Sequence, residues 1–292
     1  MLKTRILSSV IGLLLLIGAV IISKETLALA IFILSIFGIH EFYSSMSNIG
    51  YKPIKPIGYV LCFIILLTGF KDLILVKFPG CKILFISGLS SRLADVTRAY
   101  GIILFGIFIF IFILYTLPVF MYGKYNTVDI SVTLYGVFYV IFLFMFIVLT
   151  RGLEHGSYFV GFIFLGAWAT DTFGYFVGKN FGKKKLAPLL SPHKTVEGSV
   201  SGIIGSIIII ALYGILLQKY LGYIAYYHYI IIGALCGIIS QVGDLVASST
   251  KRYTKIKDYG YIIPGHGGVL DRFDSVLFTA PVVYFYIVFF II

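Results

Sequence analysis

Residues 101–121 read GIILFGIFIFIFILYTLPVFM and contain no charged side chain. The hydrocarbon core of a bilayer is about 30 Å thick, and a helix needs about 20 consecutive apolar residues to cross it. A helix also satisfies all the backbone hydrogen bonds of such a segment in lipid. The segment therefore predicts a membrane-spanning helix and an integral membrane protein.

The composition of the whole chain agrees with this segment. Of its 292 residues, 60% are hydrophobic and 12% are charged, whereas a soluble domain has about 45–50% apolar and about 25% charged residues. Further apolar runs of similar length lie at 6–23, 27–46, 57–78, 129–149, 157–178, 198–218, 229–248 and 273–292. We therefore predict an all-α, polytopic helical bundle with about nine transmembrane helices. Eight or ten helices are alternatives, because Lys71 and Asp72 interrupt the run at 57–78.

The basic residues predict how the chain is oriented. The formal net charge is +11, and with a cytoplasmic N-terminus 15 of the 23 lysines and arginines lie on the inner side and 8 on the outer side. Cytoplasmic loops carry an excess of Lys and Arg. We therefore expect a multi-pass protein of the cell (inner) membrane whose loops 179–197 and 249–272 face the cytoplasm. Orientation or an anionic ligand explains the charge, so no nucleic-acid partner is expected.

The two halves of the chain differ in character. Residues 1–150 are mostly apolar runs and are predicted to form an N-terminal region of about five transmembrane helices. Residues 151–292 carry polar side chains inside the runs, the two charged loops and many glycines, so we predict that this region is catalytic. Its glycines recur every four residues, at Gly174/Gly178/Gly182, Gly198/Gly202 and Gly233/Gly237. Such ridges allow close helix packing in lipid.

Acidic side chains lie inside several of the apolar runs. Asp171 lies in the sixth, where a charge costs about 2.5–3.5 kcal/mol and needs a partner or a polar cavity. In the eighth, Ser240, Asp244 and Ser248 are spaced to line one helical face. We interpret Asp171 and Asp244 as functional. The spacing of His40-Glu41 in the second run suggests no zinc site, and Glu41 is left unexplained.

The segment 248–275, SSTKRYTKIKDYGYIIPGHGGVLDRFDS, is the densest in polar groups. Asp271, Asp274 and Ser275 are spaced to share one face of the last helix. Clustered carboxylates need a cation between them, and Mg²⁺ typically takes one or two carboxylates together with substrate phosphates. The basic residues suited to those phosphates are Lys251, Arg252, Lys255 and Lys257.

The loop at 178–198 also has the residue types of a phosphate site. Gly178 to Gly182-Lys183 differs from a P-loop, because three residues separate the glycines and Lys184 follows where Ser or Thr is needed. The sequence Ser191-Pro192-His193-Lys194-Thr195, followed by Glu197, brings hydroxyls, cations and an acid into one predicted turn region.

These motifs together resemble the signature of the phosphatidate cytidylyltransferases (CDP-diacylglycerol synthases), over roughly 165–280. The matching positions in the second loop are Ser248, Lys251-Arg252, Lys257-Asp258, Gly260, Pro264, His266-Gly267-Gly268 and Asp271-Arg272-Phe273-Asp274. Those upstream are Asp171-Thr172, Gly178-Lys179, Gly182-Lys183, 191–195 and Gln241-x-Gly243-Asp244-Leu245. Thr250 stands where an aliphatic residue is usual, and His193 where a lysine is commoner.

The resemblance implies an enzyme of phospholipid biosynthesis that converts CTP and phosphatidic acid into CDP-diacylglycerol and pyrophosphate with Mg²⁺. The residue types fit this reaction, because an anionic phosphate must attack another and charge neutralisation is the main task. The metal polarises the α-phosphate, and no protein nucleophile is required. The expected partners are CTP, phosphatidic acid and the bilayer, and a homodimer is left open.

The same resemblance implies the site residues. The catalytic group is Asp244, Asp271, Asp274, His266 and Lys257, with the three aspartates as Mg²⁺ ligands. The substrate-binding group is Asp171, Ser191, Lys194, Thr195, Ser248, Lys251, Arg252, Gly267, Gly268 and Arg272. We expect Lys251 and Arg252, which directly follow the eighth run, to lie near the lipid phosphate, and 191–195 to reach the nucleotide.

Two other function classes stay open at this stage. A CTP-dependent lipid kinase of the dolichol-kinase type would transfer the γ-phosphate and leave CDP. An ion-coupled transporter would use Asp171 and Asp244 as a proton relay and would consume no nucleotide. CDP-alcohol phosphotransferases fit less well, since their paired aspartate pattern is absent from the sequence.

Overall fold

The computed structural model describes residues 2–77, 93–221, 224–263, 265 and 267–292, without the side chains of 2–6, 75–76 and 93–103. Its helices are α1 (Leu2–Ile22), α2 (Lys24–Ser47), α3 (Lys55–Gly69), α4 (Lys71–Lys77), α5 (Leu93–Phe120), α6 (Thr127–Arg151), α7 (Gly156–Phe181), α8 (Val196–Leu216), α9 (Gln218–Leu221), α10 (Tyr226–Tyr253) and α11 (Leu270–Phe290). Strands β1 (Lys185–Ala187) and β2 (Ser191–Thr195) pair antiparallel between α7 and α8.

The predicted helical membrane architecture is confirmed. Among the described residues, six helices are long and apolar enough to cross a membrane, namely α2, α6, α7, α8, α10 and α11. Shorter apolar helical stretches lie at Leu7–Ile22, Lys55–Gly69 and Leu104–Phe120. Together these helices coincide with the nine predicted runs. The predicted third helix, 57–78, was too long, because α3 ends at Gly69 and a separate short helix, α4, begins at Lys71.

Charges at the start of α4 account for that difference. Phe70 leaves the helical conformation, with φ −89° and ψ 5°. Two residues later, Asp72 forms an ion pair with Lys24, the first residue of α2. That hydrogen bond lowers the pKa of the Asp72 carboxyl. A charged pair of this kind belongs at the edge of the apolar layer, and the membrane-embedded part of the third run is correspondingly shorter.

The glycine ridges bring α7, α8 and α10 close together, as predicted. A Cβ atom at Gly198 on α8 would lie 2.7 Å from the carbonyl oxygen of Gly174 on α7. On the other side of α8, a Cβ at Gly237 of α10 would lie 2.7 Å from the Cα of Ile203. Both contacts are with backbone atoms, so these helices pack this closely because glycine stands at each point of contact.

The hydrophobic core is continuous between the two regions that were distinguished in the sequence. Its buried residues come from α2, α3 and α6 as well as from α7, α10 and α11. At Gly38 of α2, an added Cβ would meet Val140 of α6 at 3.0 Å and Leu270 of α11 at 3.2 Å. Helix α6 contains a π-helical segment, Val137–Phe142, at this level. The N-terminal helices therefore pack directly against the start of α11.

Candidate functional site

A cavity of about 610 Å³ lies between α7, α8, α10 and the β-hairpin. Its cationic and imidazole side chains are Lys179, Lys185, His193 and Lys194, and its acids are Asp171 and Asp244. The remaining lining residues are Thr170, Gly174, Tyr175, Gly178, Gly182, Leu186, Thr195, Gly198, Ser199 and Gln241. The cavity thus combines basic groups of the hairpin and of the end of α7 with acids that belong to membrane helices.

The predicted turn at 191–195 is wrong, because these residues form strand β2. Thr195 ends the strand and caps α8, since its Oγ1 accepts a hydrogen bond from the amide of Gly198 at 3.2 Å. Glu197 accepts hydrogen bonds from the amides of Lys183 and Lys184 at 3.1 and 3.3 Å. These bonds fix the hairpin over the end of α7, and they place Lys194 at the cavity.

Lys194 and Asp244 form an ion pair at the wall of the cavity. The Nζ of Lys194 lies 2.5 Å from the Oδ2 of Asp244, and both side chains are about a quarter exposed. Ser248 donates a hydrogen bond to the other carboxylate oxygen at 3.3 Å. Asp171 opens onto the same cavity and interacts electrostatically with Asp244, Lys194 and Arg272. The cavity is therefore the polar environment that an intramembrane aspartate requires.

Asp274 completes a group of three acids. It is buried, and its Oδ1 accepts a hydrogen bond from the amide of Ser275 at 2.7 Å. Its charged neighbours are Asp244, Asp171 and Lys251. Asp244 and Asp274, two of the three predicted metal ligands, therefore lie together, and Asp171 lies beside them.

Asp271, the third predicted metal ligand, organises the loop before α11. Its Oδ1 accepts a hydrogen bond from Lys251 at 2.8 Å. Its Oδ2 accepts hydrogen bonds from the amides of Tyr259 and Gly268, at 2.8 and 3.0 Å. Both oxygens are thus engaged with protein groups, and the side chain is only 4% exposed. Within the described residues, no three His, Cys, Asp or Glu side chains converge to hold a metal ion by themselves.

Several other predicted site residues belong to this loop. Gly265 and Gly267 have φ values of 78° and 87°, so the turn requires glycine at both positions. The amide of Ile263 donates to the carbonyl of Gly267 at 3.0 Å, closing the turn. Lys257 is exposed on the loop. His266 and Pro264 lie outside the described residues.

Lys251 and Arg252, expected near the lipid phosphate, have different surroundings. The ammonium of Lys251 pairs with Asp271 and lies 5.6 Å from the ring centre of Tyr259. Burial raises the pKa of the Tyr259 hydroxyl, which is therefore neutral at physiological pH. Arg252 instead donates a hydrogen bond from Nε to the carbonyl of Leu190 in the hairpin turn, at 3.3 Å. The two loops of the site therefore lie at the same end of the bundle.

The sequence pattern of the cytidylyltransferase family matches residues 3–290. The chain belongs to the cytidylyltransferase family. It is 34% identical over 232 residues to the phosphatidate cytidylyltransferase of Staphylococcus epidermidis, an alignment that covers 76% of this chain and 86% of the relative.

Two other relatives align over a smaller share of their length. The phosphatidate cytidylyltransferases of Bacillus subtilis and Staphylococcus saprophyticus are 35% identical over 176 residues and 40% identical over 171 residues. These alignments cover 60% and 58% of this chain, and the chain spans 64% of the length of each of these relatives. Family membership therefore rests on nearly the whole chain, in agreement with the resemblance seen in the motifs.

The predicted site residues did not include Lys179, Lys185 and His193, which line the cavity, or Glu41, which contacts the loop before α11. Glu41 of α2 is buried, and its carboxylate accepts hydrogen bonds from the amides of Val269 and Leu270 at 2.9 and 3.0 Å. The position of Glu41 inside an apolar run indicated that it has a specific partner, because buried charges in membrane helices need one. Its partners could not be foreseen, since they are backbone groups more than 200 residues away.

Proposed function

We propose that this chain transfers the cytidylyl group of CTP to phosphatidic acid. In the reaction, a phosphate oxygen of phosphatidic acid attacks the α-phosphorus of CTP. The bond between that phosphorus and the oxygen bridging to the β-phosphate breaks, so CDP-diacylglycerol forms and pyrophosphate leaves. The observation that carries the proposal is the cavity at which the basic hairpin meets Asp171 and Asp244 of the membrane helices.

The cavity suits a reaction between a soluble nucleotide and a membrane lipid. Both substrates are anionic, so they repel each other unless cations lie around the reacting phosphates. Lys179, Lys185 and Lys194 line one cavity together with His193. Among these lysines of the cavity wall, Lys194 pairs with Asp244. We therefore assign phosphate binding to these side chains, with Ser191 and Thr195 holding the strand that presents Lys194.

Mg²⁺ is the proposed cofactor, and the acids of the site fit it. Asp171, Asp244 and Asp274 interact with one another electrostatically, and Mg²⁺ is usually held by one or two carboxylates plus phosphate oxygens. Asp244 and Asp274 would hold the ion, with Asp171 adjacent. When bound, the ion would withdraw charge from the α-phosphate and the leaving pyrophosphate. Ligation by Asp271 stays a prediction, because its carboxylate would first have to leave Lys251 and two backbone amides.

The membrane setting follows from the same reasoning. We propose that the protein lies in the cell membrane, with the hairpin and the loop 254–269 on the cytoplasmic side, where CTP is available. The 15-to-8 distribution of basic residues supports this orientation. The contact between Arg252 and Leu190 supports a common side for both loops.

A double-label assay tests the reaction. The purified full-length chain in detergent receives phosphatidic acid, Mg²⁺ and CTP labelled in either the α- or the γ-phosphate, with omission of phosphatidic acid as the control. We expect the α-label in the lipid product and the γ-label in pyrophosphate. Transfer of the γ-label to lipid with release of CDP would identify a lipid kinase instead. Solute movement into vesicles without nucleotide consumption would identify a transporter.

A further inference from the structure

Helix α11 begins without a capping side chain of its own. Its N-cap residue is Val269, which makes no side-chain hydrogen bond to the first turn. The first amides of a helix have no partner inside the helix, and they need an acceptor when the helix end is buried. Val269 and Leu270 are both buried. The acceptor must therefore come from another part of the molecule.

Glu41 of α2 supplies that acceptor. Its Oε1 accepts the hydrogen bond of the Val269 amide at 2.9 Å, and its Oε2 accepts that of Leu270 at 3.0 Å. Glu41 itself is only 2% exposed. A buried carboxylate is costly unless it is hydrogen-bonded, and the positive end of a helix dipole is a favourable place for it. The cap and the buried charge thus stabilise each other.

The rest of the loop is shaped around this carboxylate. A Cβ atom at Gly260 would lie 2.7 Å from Oε1 of Glu41, and one at Gly268 would lie 2.5 Å from the same atom. The loop therefore approaches Glu41 at two places, because both positions are glycine. Between them, Asp271 accepts hydrogen bonds from the amides of Tyr259 and Gly268. Asp271 thus binds the loop at Tyr259 and Gly268, and Glu41 binds it at Val269 and Leu270.

A second residue of the N-terminal region reaches the same place. Tyr139 lies in the π-helical segment of α6 and interacts electrostatically with Tyr259 and Asp274. π-Helical turns occur often at functional sites. Contacts from α2 and from α6 therefore converge on the loop and on the first turns of α11, which carry Asp271, Arg272 and Asp274.

We propose that Glu41 is a positioning residue of the active site, through which the N-terminal region fixes the catalytic loop and the start of α11. This inference rests on the proposed cytidylyltransferase reaction. Glu41 is not among the residues that line the cavity, and it acts by setting the position of Asp271, Arg272 and Asp274. A displacement of about 1 Å in such groups costs roughly 100-fold in rate.

The test compares Glu41→Gln with Ser45→Ala in the purified full-length chain. Glutamine has the same size but a single acceptor oxygen, so its NH₂ group must face one of the two amides. Ser45 is an equally buried polar residue of α2 that donates only to the carbonyl of Phe42 in its own helix. We expect Glu41→Gln to lower kcat by about 10- to 100-fold and Ser45→Ala to change it less than about twofold.

Hydrogen exchange separates positioning from general stability. We expect faster exchange within 259–270 in Glu41→Gln, with unchanged exchange in the membrane-embedded part of α10 and unchanged monodispersity. Unchanged kcat in Glu41→Gln overturns the proposal whatever the exchange result, and so does unchanged exchange in the loop. The exchange measurement needs no substrate. Failure of the wild type to release pyrophosphate would therefore refute the proposed reaction and leave the loop contact separately measurable.

A double-mutant cycle gives independent evidence from the opposite side of the contact. The three atoms nearest to a Cβ at Gly260 all belong to Glu41. Gly260→Ala should therefore lower kcat in the wild-type background and cost at least about threefold less in a Glu41→Ala background, where the clash is absent. If Gly260→Ala lowered kcat by the same factor in both backgrounds, the proposed contact between Gly260 and Glu41 would be contradicted. If Glu41→Ala is not monodisperse, Glu41→Gln and Gly260→Ala alone decide the proposal.

Discussion

The carboxylate of Asp271 stands at the centre of the loop because it satisfies three donors at once. Lys251 and the amides of Tyr259 and Gly268 all donate to it. A buried ion pair is costly to break from one side, because the remaining charge has no partner and little water. The side chain of Lys251 is only 15% exposed. Its ammonium would therefore stay buried without a charged partner if Asp271 were neutralised. The same carboxylate therefore joins the end of α10 to the loop that precedes α11.

Asp271→Asn is expected to abolish turnover and to lower stability. The reasons are the unpaired Lys251 ammonium and the loss of one acceptor oxygen, and breaking a buried pair typically costs about 3–5 kcal/mol. The matched control is Asp72→Asn, which removes a Lys–Asp pair whose aspartate side chain is 63% exposed. An exposed pair contributes about 0–1 kcal/mol. Thermal unfolding in detergent and the double-label assay measure both variants, and near-normal activity of Asp271→Asn would contradict the assigned role.

Among the elements, α8 owes its position to glycines on both neighbours. Gly174 of α7 faces Gly198, and Gly237 of α10 faces the backbone of Ile203. These contacts bring α7 and α10 to the same helix, and their polar residues then share one cavity. The β-hairpin closes that cavity from above through Thr195, which caps α8. Close helix packing thus brings Asp171 and Asp244 to the same cavity.

Gly237→Ala tests this packing. A Cβ there would lie 2.7 Å from the Cα of Ile203, and backbone cannot move aside as a flexible side chain does. Overpacking of this kind costs about 1–3 kcal/mol. The control is Gly106→Ala in α5, where an added Cβ meets nothing within 4 Å and alanine favours the helix. We expect a lower thermal midpoint for Gly237→Ala alone. Equal midpoints for the two variants would contradict the close α8–α10 packing.

For the molecule as a whole, the sequence predicted those features that depend on local composition. The apolar runs predicted the helices, because the thickness of the bilayer constrains both the length and the hydropathy of a membrane-spanning helix. The predicted end of the third helix was wrong, because Lys71 and Asp72 begin a new helix. Glu41 could not be assigned, since its partners are backbone amides of a distant helix end. The pairing of Asp271 with Lys251 likewise depends on how the loop between α10 and α11 closes, which spacing along one helix does not determine.

Orientation is the remaining property of the whole molecule, and cysteine labelling from outside intact cells tests it. We expect Lys184→Cys, between α7 and β1, to stay unlabelled by a membrane-impermeant reagent, because the positive-inside rule places the segment 179–197 in the cytoplasm. The background is Cys81→Ser. The other native thiols, Cys62 and Cys236, are buried. The positive control is Glu154→Cys, whose side chain is 83% exposed at the opposite end of α7.

The two labelling sites lie at opposite ends of one membrane helix, so they must give opposite results in any single orientation. Glu154 precedes α7, and Lys184 follows it. Labelling at Glu154→Cys alone supports a cytoplasmic active site. Labelling at Lys184→Cys alone would place the cavity outside, away from CTP, and would contradict both the orientation and the proposed reaction in the cell. Permeabilised cells should label both variants, because Lys184 is itself exposed just before β1.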